Sequence, residues 1–162
     1  MEDNIKMKSA TVFEIKDELQ QLPPGKLVDL CLRLVKFKKE NKELLTYLLF
    51  EAHDLDTYIG MVKTETTNEF SEINSSNLYF AKKSIRKILR NINKYIRYTG
   101  AKQAEIELLL FYCKTLNESG IPFRRSPALV NLYEGQLKKI KKAIETLHED
   151  LQYDYNRELE NL

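Results

Sequence analysis

The sequence predicts an all-α protein, because apolar residues recur in steps of three and four through most of its 162 residues and few segments alternate as strands do. Short polar or proline-containing links separate these periodic segments, as expected between helices packed side by side. The pattern favours an irregular helical bundle or a short α-solenoid-like stack of antiparallel hairpins, with about seven helices. We expect a single domain over residues 1–162, with residues 1–10 disordered.

The first part of the chain predicts a short helix followed by a helical hairpin. Thr11 to Glu14 matches a capping box, which opens a short helix that ends before Pro23. Pro24 suits the first turn of a second helix that runs to about Lys39. Asn41 is then placed to cap a third helix, and the link is so short that the second and third helices must form an antiparallel hairpin.

The middle of the chain predicts three more helices. Asp54 caps the fourth, which we expect to break over residues 64–68 because threonine and asparagine are weak helix formers. Residues 74–77 separate it from a fifth helix, which ends at Gly100. Residues 104–116 form the most hydrophobic segment, and we expect this sixth helix to lie at the centre of the fold.

A long helix is predicted to begin at Ser126-Pro127, with serine as the cap and proline in the first turn. Its periodicity continues to the end of the sequence, with a possible break near His148. The steps from Leu137 to Leu151 match a heptad seam. This seam leaves two interpretations open: a homo-oligomer formed through the C-terminal helix, or packing against the other helices of the same chain.

Residues 14–19, 22–30 and 39–44 read EIKDEL, LPPGKLVDL and KENKEL. With these segments, residues 14–50 resemble the opening of an uncharacterised bacterial all-helical family, known as a domain of unknown function. In that family a short helix leads into a leucine-rich hairpin marked by Asn-Lys-Glu. The resemblance implies the helical hairpin, but it carries over no activity and no functional residue.

The fifth helix is the main candidate for a functional surface. Residues 73–104 contain eight cations and no acidic residue, whereas the net charge of the whole chain is only +2. On a helical wheel the apolar residues and the cations occupy separate arcs, so that one side can be buried while the other stays cationic. Tyr79 falls inside the cationic arc. We call five cations of this arc the basic stripe: Lys82, Arg86, Arg90, Lys94 and Arg97.

Three interpretations of the basic stripe remain open. It suits a phosphate backbone, with Tyr79 as a stacking platform for a base. It also suits the docking of an acidic segment of a partner protein. The third interpretation is an ordinary solvated helix face that pairs with the acidic segment at residues 54–72.

Arg124 and Arg125 form a second candidate site, because two guanidinium groups beside the helix start at Ser126 can bind an anion. Their simpler interpretation is a surface connection with solvated arginines. A further hypothesis is that the acidic C-terminal residues mask the basic stripe. These residues are Glu145, Glu149, Asp150, Asp154, Glu158 and Glu160.

The sequence contains no recognisable catalytic or metal motif, and we therefore predict neither an enzyme nor a cofactor. Only two histidines are present, and the Glu-x-x-His match at Glu145–His148 lacks the second motif that a di-iron site requires. His53-Asp54 likewise lacks the further histidines of a phosphohydrolase centre, and no Gly-rich phosphate loop is found. Cys31 and Cys113 have neither redox nor metal spacing, so we expect two buried free thiols.

The N-terminal residues lack the apolar core of a secretory signal, and no apolar run approaches the length of a membrane span. We therefore expect a soluble cytoplasmic protein. Its predicted function is that of a non-enzymatic helical interaction or scaffold module for an unknown protein partner. The alternative is a nucleic-acid-binding protein that uses the basic helix Lys82–Arg97.

Overall fold

The computed structural model describes residues 7–162, and within this range the chain forms eight α-helices and no strand. The all-α prediction is therefore confirmed, with one helix more than expected because the last predicted helix is divided in two. A π-helical turn at Tyr47–Glu51 and a 3₁₀ turn at Phe123–Arg125 complete the regular structure. The helices are α1 (Val12–Gln20), α2 (Pro24–Phe37), α3 (Lys39–Thr46), α4 (Leu55–Ser71), α5 (Leu78–Thr99), α6 (Lys102–Glu118), α7 (Pro127–Ile144) and α8 (Glu149–Glu160).

The chain divides into two compact units, Met1–Thr46 and Tyr47–Leu162, which we call the N-terminal and the C-terminal unit. Whether they fold as one domain, as the sequence predicts, stays a prediction. Of the ten residues expected to be disordered, residues 1–6 lie outside the described part of the chain, and residues 7–10 form no helix.

The N-terminal unit consists of α1 and a hairpin of α2 and α3. The predicted capping box is present: the Glu14 amide donates to Thr11 Oγ1 at 3.2 Å, and the Thr11 amide donates to Glu14 Oε2 at 2.7 Å. The sequence predicts that Asn41 begins the third helix, but this residue lies inside α3. Its side-chain amide donates to the Leu34 carbonyl at 2.8 Å, so it satisfies a free carbonyl at the C-terminal end of α2 instead.

The C-terminal unit is organised around α6, as its hydrophobicity predicts. Helices α4, α5, α7 and α8 all pack against it. Along α6, Ile106, Leu109 and Cys113 are fully buried. The hydroxyl of Tyr112 donates to the Ile85 carbonyl at 3.1 Å, which fixes α6 against α5. This core holds α5 with one face buried and the opposite face open.

The expected break in α4 at residues 64–68 is wrong. The hydroxyls of Thr64, Thr66 and Thr67 donate to the carbonyls four residues earlier, at 3.1, 2.8 and 3.0 Å, and the helix continues to Ser71. Thr66 is also buried, so packing overrides the weak intrinsic helix propensity of threonine.

The C-terminal helix breaks at residues 145–148, close to the position that the sequence indicates. His148 begins α8 by accepting a hydrogen bond from the Asp150 amide at Nδ1. The heptad residues Ile140 and Ile144 are buried in the core of the C-terminal unit, and Leu137 and Leu147 pack against it. The structure therefore favours packing within the chain and gives no support to a homo-oligomer through this helix.

The two cysteines differ, although we expected both to be buried. Both are free thiols, but Cys31 on α2 is exposed and only Cys113 on α6 is buried. Cys31 shares its exposure with the rest of α2, of which no residue is buried. Of the helices described, none combines the length and the apolarity that a bilayer span requires.

Candidate interaction groove on the basic helix

The sequence of α5 fixes both its ends and its orientation. The side chain of Asn77 accepts hydrogen bonds from the Tyr79 and Phe80 amides at 3.0 and 3.4 Å, which caps the first turn. Gly100 ends the helix in the left-handed conformation, with φ of 61°. Residues at core spacing bury one side of α5, which leaves the predicted cationic arc on the open side; they are Ala81, Ile85, Ile88, Leu89 and Ile92.

The basic stripe is largely open to solvent. Arg86, Arg90 and Arg97 are exposed, whereas Lys82 and Lys94 are half-buried. Within residues 7–162, no ion pair shorter than 4 Å involves Lys82 or any of the three arginines. The stripe therefore carries arginine charges that no carboxylate of the described chain neutralises.

The acidic segment before α5 contacts the opposite side of this helix. Glu65 accepts a hydrogen bond from the Tyr95 hydroxyl at 3.1 Å, and Glu69 accepts one from the Asn91 amide at 3.1 Å. Asn91 and Tyr95 lie more than 90° around the helix from Arg86 and Arg90. The basic helix thus lies against the acidic segment, but Glu65 and Glu69 bond Tyr95 and Asn91 rather than Arg86 or Arg90.

A groove of about 500 Å³ lies along the cationic side of α5. The side chain of Leu89, which is nearly buried, and that of Leu132 on α7 contribute its apolar lining. Three cations and one amide, spaced 3, 4 and 3 residues apart on one face of α5, contribute its polar lining: Lys83, Arg86, Arg90 and Asn93. The groove therefore combines an apolar surface with positive charge.

Lys83 belongs to the groove, although sequence reasoning assigned the neighbouring Lys82 to the site instead. The Lys83 ammonium lies 4.8 Å from the centre of the Tyr79 ring, within the range of a cation–π contact. Tyr79 in turn packs edge-on against Phe80 at 5.4 Å, and the two rings are 63 % and 58 % exposed. The i, i+4 spacing of Tyr79 and Lys83 is the sequence signal that indicates this contact.

The other members of the basic stripe do not line the groove. Lys82 and Lys94 are not among its lining residues, and the Lys94 ammonium lies 5.1 Å from the centre of the Tyr95 ring. Arg97 lies two turns beyond Arg90 on the same side of α5. From the predicted set, the structure brings Arg86 and Arg90 together in the groove, and it links Tyr79 to the groove only through Lys83.

Arg124 and Arg125 do not join this groove. The guanidinium of Arg124 donates to Asn117 Oδ1 at 3.2 Å and lies over the rings of Phe123 and Tyr133, at 4.9 and 5.6 Å. These contacts explain the conformation of Arg124 without a bound anion. Arg125 is exposed, and neither arginine lines the groove on α5.

The acidic C-terminal residues do not cover the groove either. Asp154 and Glu158 line a different cavity of about 630 Å³ between α4, α6 and α8. No acidic residue lines the groove on α5. Within the described chain, no contact therefore supports the hypothesis that the acidic C-terminal residues mask the basic stripe.

The cavity between α4, α6 and α8 contains the best-connected carboxylate of the C-terminal unit. Glu107 accepts hydrogen bonds from Lys63 at 3.1 Å, Gln103 at 2.9 Å and the Tyr155 hydroxyl at 3.2 Å. Burial alone would raise the pKa of Glu107, but these hydrogen bonds and the Lys63 charge outweigh it and lower the pKa. Burial and the adjacent Glu107 charge raise the pKa of Tyr155 to about 12. This network fixes α8 to the core.

The structure does not bring the two histidine-containing motifs of the sequence together as a metal site. Glu145 follows the end of α7 and His148 precedes α8, so the two do not share one helical face. Asp54 caps α4 by accepting from the Thr57 amide and hydroxyl. In residues 7–162, no group of three histidine, cysteine or carboxylate side chains has the arrangement of a metal site.

No protein-family model, curated protein or solved structure matches this chain. The resemblance of residues 14–50 to a bacterial helical family therefore stays a prediction. The groove on α5 has to be interpreted from its own chemistry.

Proposed function

We propose that the protein is a helical protein-interaction module, and that the groove on α5 docks an acidic helical segment of a partner protein. The observation that carries this proposal is the combination of Leu89 and Leu132 with Lys83, Arg86 and Arg90 in one groove. An amphipathic helix with a leucine stripe between glutamates presents the complementary surface. Its leucines would contact the apolar lining, and its carboxylates would pair with the surrounding cations.

The electrostatics of α5 support a functional role for these cations. Like charges three or four residues apart on a helix destabilise it by about 0.2–0.5 kcal/mol per pair. Lys83, Arg86 and Arg90 stand in this relationship, and no carboxylate of the described chain relieves them. An acidic partner removes this repulsion on binding and gains charge-assisted hydrogen bonds to the guanidinium groups.

Binding of a synthetic helical peptide tests the proposal. The probe carries a leucine stripe flanked by glutamates, and its control replaces every glutamate by glutamine. We expect the full chain to bind the acidic peptide, and to bind it at least tenfold more weakly after Arg86→Glu plus Arg90→Glu. The affinity for the acidic peptide should also fall as salt is raised, because the attraction is partly screened.

A second charge reversal on α7 provides the matched control. Lys138→Glu plus Lys142→Glu changes the net charge by the same amount at the same i, i+4 spacing, at exposed positions that do not line the groove. This variant should bind within about threefold of the wild type, a difference of less than 1 kcal/mol. Equal weakening by both reversals would mean that net charge alone attracts the peptide, and the proposed groove would be wrong.

Nucleic-acid binding is the second candidate function, and the exposed pair of Tyr79 and Phe80 favours it. Aromatic rings beside a row of cations are the combination with which proteins bind single strands. For this function, Tyr79→Ala should weaken binding of a single-stranded oligonucleotide by about 1–3 kcal/mol and leave peptide binding nearly unchanged. Binding of the acidic peptide with no binding of DNA or RNA oligonucleotides would exclude this second function.

A further inference from the structure

The first turn of α5 exposes two neighbouring aromatic side chains, Tyr79 and Phe80, which we call the aromatic pair. Neither ring belongs to the core of the C-terminal unit, and the two rings pack edge-on against each other. The Lys83 ammonium lies over the Tyr79 ring, and Lys83 also lines the groove on α5. The aromatic pair is therefore in contact with one of the groove's own cations.

Tyr79 lies on the same face of α5 as the groove. At about 100° per residue, the groove residues of α5 occupy an arc of about 120°, from Leu89 to Lys83, and Tyr79 falls inside this arc. Phe80 lies about 60° outside it. At a rise of about 1.5 Å per residue, Tyr79 precedes Leu89 by about 15 Å along the helix axis. The helix thus presents two apolar surfaces on one side, with the cations Lys83 and Arg86 between them.

A helical segment that lies along α5 can contact both apolar surfaces at one spacing of its own apolar residues. Residues eleven positions apart on a helix are about 16.5 Å apart along its axis and about 20° apart around it. Residues seven or fourteen positions apart also share one face, but their axial separations are about 10.5 and 21 Å. These separations are about 5 Å too short or too long for the two surfaces of α5.

We infer that the acidic partner helix carries two apolar anchor residues eleven positions apart, one on Leu89 and Leu132 and the other on the aromatic pair. This inference rests on the proposed function and specifies its partner. Carboxylates between the two anchors pair with Lys83 and Arg86, which no carboxylate of the described chain neutralises. Tyrosine and arginine are enriched among the residues that dominate the binding energy of protein interfaces. The aromatic pair therefore extends the groove by one more contact with the same partner.

Three synthetic helical peptides, titrated into the full chain, test the inference. They share one composition, with two leucines in an alanine–glutamate background, and the leucines stand seven, eleven or fourteen positions apart. We expect the peptide with the spacing of eleven to bind about fivefold more tightly than either of the others. Tyr79→Ala should remove this preference and change the affinity for the peptide with the spacing of seven by less than about twofold. Tyr153→Ala is the matched control, because Tyr153 is a similarly exposed tyrosine on α8 that does not line the groove, and it should leave the preference intact.

The outcomes separate this inference from the docking proposal. Equal affinities for the three peptides, with binding still lost in Arg86→Glu plus Arg90→Glu, would overturn the inference and leave the docking proposal in place. Binding of none of the peptides would overturn both. A preference for the spacing of eleven that survives Tyr79→Ala would also overturn the inference, because the second anchor would then contact another surface. That last result is the one expected if Tyr79 serves nucleic-acid binding instead.

Discussion

The N-terminal and C-terminal units are built from the same kind of amphipathic helix, but they differ in what covers the apolar side. In the C-terminal unit, α6 is enclosed by four other helices, and Leu109 is fully buried. In the N-terminal unit, α2 is just as apolar, yet Leu34 and Phe37 remain exposed. The periodicity of apolar residues therefore indicates that a helix has an apolar side, but it does not indicate what covers that side.

This difference gives the two units different surfaces. The C-terminal unit has a complete core, and that core holds the cations of α5 in fixed positions around the groove. The N-terminal unit offers apolar surface with little net charge. The docking proposal therefore rests on the C-terminal unit alone.

The largest expected effect is on the core of the C-terminal unit. Leu109→Ala should lower the free energy of unfolding by about 2–5 kcal/mol, because it leaves a cavity among fully buried side chains. Leu34→Ala should lower it by less than about 0.5 kcal/mol, because Leu34 is already 59 % exposed. Urea unfolding followed by circular dichroism measures both. Similar losses of unfolding free energy in the two variants would contradict the difference in burial between the two units.

Each unit contains one cysteine, and their reactivities should differ by more than about 100-fold at pH 8. Burial raises the pKa of the Cys113 thiol to about 12, which leaves few thiolates, and it also blocks the reagent. Cys31 is exposed and should react with a chromogenic disulfide within minutes. In denaturant both thiols should react at the same rate. Equal labelling of the two thiols in the folded protein would show that the core around α6 opens readily.

A smaller effect on the free energy of unfolding is expected where α8 packs against the core. Tyr155→Phe removes the hydrogen bond to Glu107 and should lower the free energy of unfolding by about 1 kcal/mol at pH 7. Tyr153→Phe is the control on the same helix, since Tyr153 is exposed, and it should cost less than about 0.5 kcal/mol. Equal costs in urea unfolding would indicate that the Glu107 network does not hold α8.

The contribution of the Tyr155–Glu107 hydrogen bond to stability should depend on pH in a defined direction. Because the pKa of Glu107 is lowered from 4.5, its contribution is present above pH 4.5 and is lost as the pH falls further. Because the pKa of Tyr155 is raised from 10 to about 12, the contribution of its neutral hydroxyl is present below pH 10 and is lost as the pH rises towards 12. The cost of Tyr155→Phe should therefore be greatest between about pH 5 and 10. A cost that does not change from pH 3 to 11 would contradict this assignment.

Much of the fold could be predicted because local chemistry fixes the helix ends. The capping box at Thr11, the side-chain cap at Asn77 and the left-handed Gly100 all form from residues adjacent in sequence. Two predictions failed because contacts outside the helix itself decide the outcome. Thr66 stays helical because it is buried in the core, and Asn41 bonds the end of the preceding helix rather than starting its own.

The site could be predicted only in part, for a similar reason. The arginines of the basic stripe are visible in the sequence because they share one face of a single helix. Leu132 was missed because it reaches the groove from α7, and no local pattern links it to α5. The exposed side of α2 was missed because its leucines have the same spacing as those of a buried helix.

The most direct test of the docking proposal is a ¹H–¹⁵N spectrum of the full chain titrated with the acidic leucine–glutamate peptide. The account predicts shifts concentrated at the groove, at the amides of Lys83, Leu89, Arg90, Asn93 and Leu132. The amides of α2 should remain unchanged, since no residue of α2 lines the groove. Shifts confined to α1 and α2, with none along α5, would contradict the account.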